Sequence, residues 1–420
     1  MLTAGPGRSL DSLIHRLSLI FQHERRFYRL LAVAGGITAL LKGLRLPYIW
    51  AATQAQIDYR HGYIRRGLFG EVCGWLHIPI WRYGVFSVVA FALLAALFWM
   101  LARSMRRSGL DAAGLGAFTA LLASSFCITL LTNVVGYYDV VMALLVLAVM
   151  QFRNQRAQMV AALIAGIFGV LVHELYAIAY LPVSLAGLAC LLAEEERRKK
   201  WLWTGVAAAA IIPWVIVLLP AGHAQMAPQE IARLAGEIHT RVNFSSHDEV
   251  LFAIFGDSSR VSLGRMLNDM HAGTFWVEEG FGFLAFLPTT LFFLALAWRL
   301  AGERRCALRW YLVLCTFAPL LLNLVAYDRY RWLAIMELNA ALCAITVSWS
   351  NDRLHDESEP KLFSVAWRRA AIFLIAINLA TDIGLFQGPA RNFPFQSYWT
   401  SFQETMHSHK PLFAPPDIVL

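Results

Sequence analysis

The sequence predicts an all-α fold, a polytopic transmembrane helical bundle of about eleven spans. Three observations carry that expectation. Of the 420 residues 58% are hydrophobic and 15% charged, against roughly 45–50% and about 25% in a soluble domain. Mean hydropathy is +0.54, and the apolar residues gather in runs of about 20, long enough to cross a hydrocarbon core of about 30 Å. The runs are continuous rather than alternating, which excludes a β-barrel.

Taken in order, residues 1–27 form an amphipathic segment. Leu10, Leu13, Ile14, Leu17 and Phe21 follow helical spacing behind Ser9 as a cap, beside His15, Arg16, Arg25 and Arg26. Such a helix lies on the cytoplasmic leaflet. The bundle occupies 28–386. Its spans are expected near Tyr28–Trp50, Tyr83–Leu101, Ala113–Leu131, Val140–Phe152, Gln158–Val172, Leu175–Leu192 and Trp201–Leu219. Four more follow near Phe281–Leu300, Trp310–Ala326, Trp332–Trp349 and Ala370–Phe386. Lys42 and Arg45 sit in the second half of the first span and must snorkel or face a wet cavity.

A polar segment at 221–279 interrupts the spans. Pro228 with Ile231, Leu234 and Ile238 predicts an amphipathic helix there, and Ser246 with Glu249 reads as a capping box. Residues 387–420 form a polar, aromatic tail. The first twenty-odd residues are too polar for a cleavable signal peptide.

Charge gives the bundle a direction. The net charge of +8 is spread over short clusters between spans, a pattern of membrane orientation and not of a nucleic-acid face. The N-terminal arginines, Arg103/Arg106/Arg107, Arg153/Arg156, Arg197–Lys200, Arg304/Arg305/Arg309 and Arg368/Arg369 all fall on one side. The positive-inside rule makes that side the cytoplasm. The N-terminus is then cytoplasmic, the C-terminus outside, and the chain an inner (cytoplasmic) membrane protein. The six cysteines form no CxxC, so neither a disulfide framework nor a zinc site is expected.

The same count places the segment 221–279 and four shorter polar clusters on the outer face. Ile57–Gly70 holds Asp58, Arg60, His61, Arg65 and Arg66 between apolar runs, a costly arrangement without partners or a ligand. Guanidinium forks suit phosphate, so Arg65 and Arg66 fit a lipid phosphate or diphosphate, and Asp58 is placed to take a proton from an attacking hydroxyl. A plain surface loop accounts for the same residues without chemistry. The turn 132–139 offers Asp139 as a second carboxylate, or simply a hairpin with Gly136 at the bend and Asp139 as a cap. His173-Glu174 splits two apolar runs. Asp328-Arg329-Tyr330-Arg331 suits either an internal ion pair or phosphate binding.

A first span followed by an outer loop with an acidic residue resembles the GT-C-type membrane glycosyltransferases. The turns at Asp139, His173-Glu174 and Asp328–Arg331 are similar in style to those of bacterial polysaccharide polymerases. The resemblance covers roughly residues 28–386 and implies a catalytic group of Asp58, Asp139, His173 and Glu174. It implies phosphate-binding residues Arg60, Arg65, Arg66, Arg329 and Arg331. The implied partners are a polyprenyl-linked sugar donor, a glycan or lipid-linked acceptor and membrane lipids, with no nucleic acid. No cofactor is indicated; Tyr59 rather than a second acid follows Asp58, which leaves no metal pair, although a divalent metal stays compatible. A polymerase of lipid-linked repeat units and a lipid-linked substrate flippase are the alternatives.

Overall fold

A computed structural model describes residues 24–61, 66–152, 154–193, 200–218, 226–256, 263–264, 267–268, 270–271, 273–302, 305–324, 328–352 and 364–381. The amphipathic segment expected over Ser9–Phe21 and the tail 387–420 lie outside them. The described elements are helical, as the continuous apolar runs require. They begin with α1 (Glu24–Gly43), α2 (Ile49–Gln54), α3 (Leu68–Trp75), α4 (Tyr83–Arg106), α5 (Ala112–Ser124), α6 (Phe126–Asn133), α7 (Asp139–Met150) and α8 (Gln155–Val172). There follow α9 (Tyr176–Ala179), α10 (Leu181–Ser184), α11 (Ala186–Ala193), α12 (Lys200–Leu218), α13 (Pro228–Arg241) and α14 (Asp248–Leu251). The last four are α15 (Thr274–Leu300), α16 (Cys306–Phe317), α17 (Arg329–Asp352) and α18 (Val365–Ala380).

Among the described residues six stretches are long and apolar enough to cross a membrane: α4, α8, α12, α15, α17, and α16 together with the 3-10 helix that carries it on to Leu324. A seventh crossing results if α5 and α6, bent by 46° at Ser125, count as one span. The protein is therefore a membrane protein with a helical bundle.

Several expected spans are interrupted, each for a local reason. The run Tyr28–Trp50 is not one helix; α1 stops at Gly43 and Pro47 precedes the separate α2. A proline lacks the N–H a continuing helix needs and holds its predecessor extended. Leu175–Leu192 is three short helices divided at Tyr180 and Leu185. The carbonyls freed there find side-chain donors: Tyr311 Oη donates to Pro182 O at 2.7 Å and Asn339 Nδ2 to Ala179 O at 2.7 Å. The last helix starts earlier than expected, so Arg368 and Arg369 lie within its first turns. Ser246 does not cap α14; its hydroxyl pairs with His239 Nδ1 at 2.9 Å, and the helix starts after His247.

The centre of the bundle is α17. Its stretch Arg329–Ser350 is buried along its whole length, Arg331, Glu337 and Asn339 included; α15 packs along it. Lys42 resolves the oddity of a charge in the first span. Its ammonium donates to the carbonyls of Asn378 (3.1 Å), Leu379 (3.2 Å) and Thr381 (2.5 Å). Those are the unpaired carbonyls at the end of α18, where the helix dipole is negative. One long cation thus joins the first helix to the last.

At one end of the bundle a cap is laid over the spans. In α13, Ile231, Leu234 and Ile238 are buried as their spacing predicts, packing with Ile57, Val250, Leu251 and Phe255. Beside them Phe244 packs among Ile49, Ala52, Ala55, Cys73, Ile80 and Tyr83. The opposite end carries another set of arginines: Arg103 and Arg107 share Gln151 Oε1 at 3.0 and 2.9 Å, and Arg103, Arg156 and Arg309 lie over Trp99, Trp201 and Trp298. Replacing Lys42 with Leu is expected to cost about 1–3 kcal/mol through three orphaned carbonyl contacts, seen as a lower unfolding midpoint in detergent.

Candidate functional site

The residues singled out by sequence collect at the capped end, in two adjoining groups. The first is built on a buried ion pair. Asp139 is the first residue of α7 and fully buried; Tyr138, not Asp139, occupies the cap position. Its carboxylate is taken by Arg331 through Nε at 2.8 Å and Nη2 at 2.7 Å, and Oδ1 accepts the Tyr180 hydroxyl at 3.3 Å. The third arm of Arg331, Nη1, reaches Asp328 Oδ2 at 2.9 Å. The guanidinium also lies against the Tyr137 and Trp332 rings at 5.4 and 5.0 Å. Gly136, at φ +90°, makes the bend that presents Tyr137, Tyr138 and Asp139 in succession.

Tyr138 ties this centre to the next turns. Its hydroxyl donates to Gln54 O at 3.2 Å and Arg66 O at 3.5 Å, and its ring meets His173 edge-on at 6.2 Å. Arg66 then closes on Glu174, Nη2 to Oε1 at 2.5 Å and Nε to Oε2 at 3.1 Å. It does so from φ +64°, a left-handed conformation that a long side chain adopts only under constraint. His173 is buried; its Nδ1 accepts the Leu175 N–H at 3.2 Å and stands 3.4 Å from Glu174 Oε2. Burial opposes the charge on Glu174, but Arg66, and after it His173, outweigh that. The carboxyl is held well below the usual range.

The second group surrounds Asp58, whose side chain is 15% exposed. Asp58 Oδ2 meets Arg60 Nη2 at 2.7 Å and Arg241 Nη1 at 3.1 Å, and Oδ1 accepts the Arg60 N–H at 3.2 Å. Arg241 also donates from Nη2 to Gln56 O at 2.6 Å. Together with Glu71, whose Oε2 accepts the Tyr59 N–H at 3.0 Å, these residues line a cavity of about 260 Å³ that reaches the exposed Trp75 and Trp81. Gly70 lets α3 sit this close, since a Cβ there would run into the carbonyl of Ile57.

Asp58, Arg60, Arg66, Asp139, His173, Glu174, Arg329 and Arg331 thus all stand at one end of the bundle. Arg329 is buried in the first turn of α17. Arg65 lies outside the described residues. Arg66 and Arg331, expected as phosphate ligands, are occupied by Glu174 and Asp139. Glu71, Arg241, Trp75 and Trp81 were missed by sequence reasoning. Glu71 lies one residue past the motif, whereas Arg241 comes from 183 residues away and no local signal points to it. Among the described residues no group of three or more His, Cys, Asp or Glu could hold a metal ion. No protein-family model, curated protein or solved structure matches the chain.

Two outcomes test this geometry. Asp139→Ala leaves a buried guanidinium short of its main partner and is expected to cost about 3–5 kcal/mol in detergent unfolding. Because the Glu174 carboxyl is depressed in the fold, its contribution is complete above the ordinary glutamate value of 4.5 and lost as pH falls below it. Glu174→Gln is expected to flatten that acid branch of the unfolding midpoint, while lowering stability at neutral pH.

Proposed function

We propose that the protein is a membrane glycosyltransferase that takes its sugar from a polyprenyl-phosphate or polyprenyl-diphosphate donor at the outer face of the cytoplasmic membrane. The observation that carries this reading is the composition of the Asp58 cavity. Two carboxylates, two guanidinium groups and two tryptophans line one space at the capped end. Tryptophan faces suit the apolar faces of sugar rings, carboxylates accept from sugar hydroxyls, and arginines match phosphate.

In the proposed mechanism Asp58 is the base. Arg60 is 60% exposed on the carboxylate it pairs with, so exchanging that partner for a donor phosphate costs little. Once Arg60 and Arg241 both turn to the phosphate, Asp58 is released to draw the proton from the acceptor hydroxyl as its oxygen attacks the anomeric carbon. The C–O bond to the phosphate breaks, and the phosphate leaves with its charge held by Arg60 and Arg241. Arg66 and Arg331 act as braces, keeping the turns that carry Glu174 and Asp139 in register.

The orientation belongs to the same reading. In this reading the end with the arginines stacked on Trp99, Trp201 and Trp298 is the cytoplasmic one, since loops rich in positive charge favour that side. The site then faces outward. With α1, α7, the broken α9–α11 and α18 also crossing, the number of spans reaches about eleven, with the N-terminus inside and the C-terminus outside. A polymerase of lipid-linked repeat units is the same chemistry with a longer acceptor. A flippase is favoured by one observation of its own, the discontinuous helices α5–α6 and α9–α11.

Membranes containing Asp58→Asn are expected to lose about 10²–10⁴-fold in sugar transfer from a polyprenyl-linked donor, with the protein folded and inserted. Trp81→Ala is expected to raise KM for the acceptor more than it lowers kcat. Undiminished transfer by Asp58→Asn removes Asp58 from the mechanism. Donor movement across vesicles without any transfer supports the flippase instead.

A further inference from the structure

A second polar position lies inside the bundle, apart from the capped end. Glu337 is in the central helix α17, and none of its surface is exposed. Its Oε2 accepts one hydrogen bond, from the backbone N–H of Cys127 at 2.9 Å. Its Oε1 is buried and, among the described residues, has no hydrogen-bond partner. Cys127 is the second residue of α6, directly after the 46° break at Ser125. The Ser125 hydroxyl does not cap this helix; it turns back to Leu122 O at 2.6 Å. The interrupted span therefore directs a first-turn N–H at a lone carboxyl.

No cation balances that carboxyl among the described residues. Arg331, two turns away on the same helix, is closed on Asp139 and Asp328. In α5, and in α15 between Gly280 and Trp298, no side chain titrates. In α6 the titratable group is Cys127 itself. From α11 and α16, Cys190, Tyr311 and Cys315 gather with Cys343 of α17, and Arg309 is turned to Trp298. The end of α6 supplies only the partial positive charge of a short helix. A buried carboxylate with one N–H and no counter-ion is far costlier than a neutral acid with one unmet hydroxyl, and such groups change protonation instead of carrying the charge.

We propose that Glu337 is a proton-binding site in the interior of the bundle. The neutral acid holds the broken span against α17, and loss of its proton places an unbalanced charge in that contact and loosens it. The ligand is the proton itself. The proposal rests on the bundle core and is independent of the transferase reading.

Infrared spectroscopy of the full chain in lipid vesicles tests it directly. At neutral pH the spectrum is expected to hold the C=O stretch of an un-ionised carboxylic acid, displaced by carbon-13 glutamate labelling and absent from Glu337→Gln. The amide in that variant still accepts the Cys127 N–H. The wild type is also expected to lose thermal stability as pH rises above the ordinary glutamate value of 4.5, where the unfolded chain gives up a proton that the fold keeps, and Glu337→Gln to lose less. A wild-type spectrum without a protonated-glutamate band at neutral pH overturns the proposal, whether or not the variant folds. So does a band that persists unchanged in the folded variant.

Discussion

Arg331 has to be neutralised where it stands, and much of the capped end follows from how that is done. It enters at the first turn of a helix buried on every side, where an unpaired guanidinium would cost several kcal/mol. Asp139 meets two of its nitrogens and Asp328 the third. The beginnings of α7 and α17 are thereby fixed to each other. Tyr138, one residue before Asp139, is then aimed at the carbonyls of Gln54 and Arg66, and Arg66 in turn holds Glu174 at the end of α8. A chain of contacts, each with an electrostatic reason, converts four separate turns into one rigid end.

The neighbouring cavity is shaped by the same end of the bundle. Asp58 hangs from a short segment whose backbone is pressed against Gly70 on one side and drawn to Arg241 on the other. Arg241 ends an amphipathic helix whose buried face includes Ile57 as a partner, so the apolar packing of the cap and the polar contacts of the cavity are set together. The division of labour among the arginines is a consequence. Arg66 and Arg331 are spent on carboxylates, while Arg60 keeps most of its surface in solvent.

The bundle interior follows a different economy. Breaks at Ser125, Tyr180 and Leu185 free backbone groups in the buried interior of the bundle, where every such group needs a partner. Asn339 and Tyr311 satisfy carbonyls around the α9–α11 breaks, Glu337 receives the N–H freed at the α5–α6 break, and Lys42 gathers the carbonyls ending α18. Polar residues that look misplaced in apolar runs are mostly answers to interruptions elsewhere in the chain.

The sequence by itself determined the class of fold, because continuous apolar runs of bilayer length have one low-energy solution, the helix. It also determined which turns are polar, the left-handed bend at Gly136, and the buried face of α13, since each depends on residues close together along the chain. Tertiary structure decided the pairings: Lys42 with the end of α18, Arg66 with Glu174, Arg331 with Asp139, Arg241 with Asp58. An arginine's charge is local but its partner is not. A guanidinium reads the same whether it will meet a phosphate or a carboxylate from a distant turn, and only packing brings one of them within reach. The breaks in the expected spans were hidden for the same reason. Pro182 and Pro47 mark where a helix can stop, but whether it stops there depends on whether a donor is in place for the carbonyls it exposes: Tyr311 and Asn339 around Pro182, Tyr83 at Pro47.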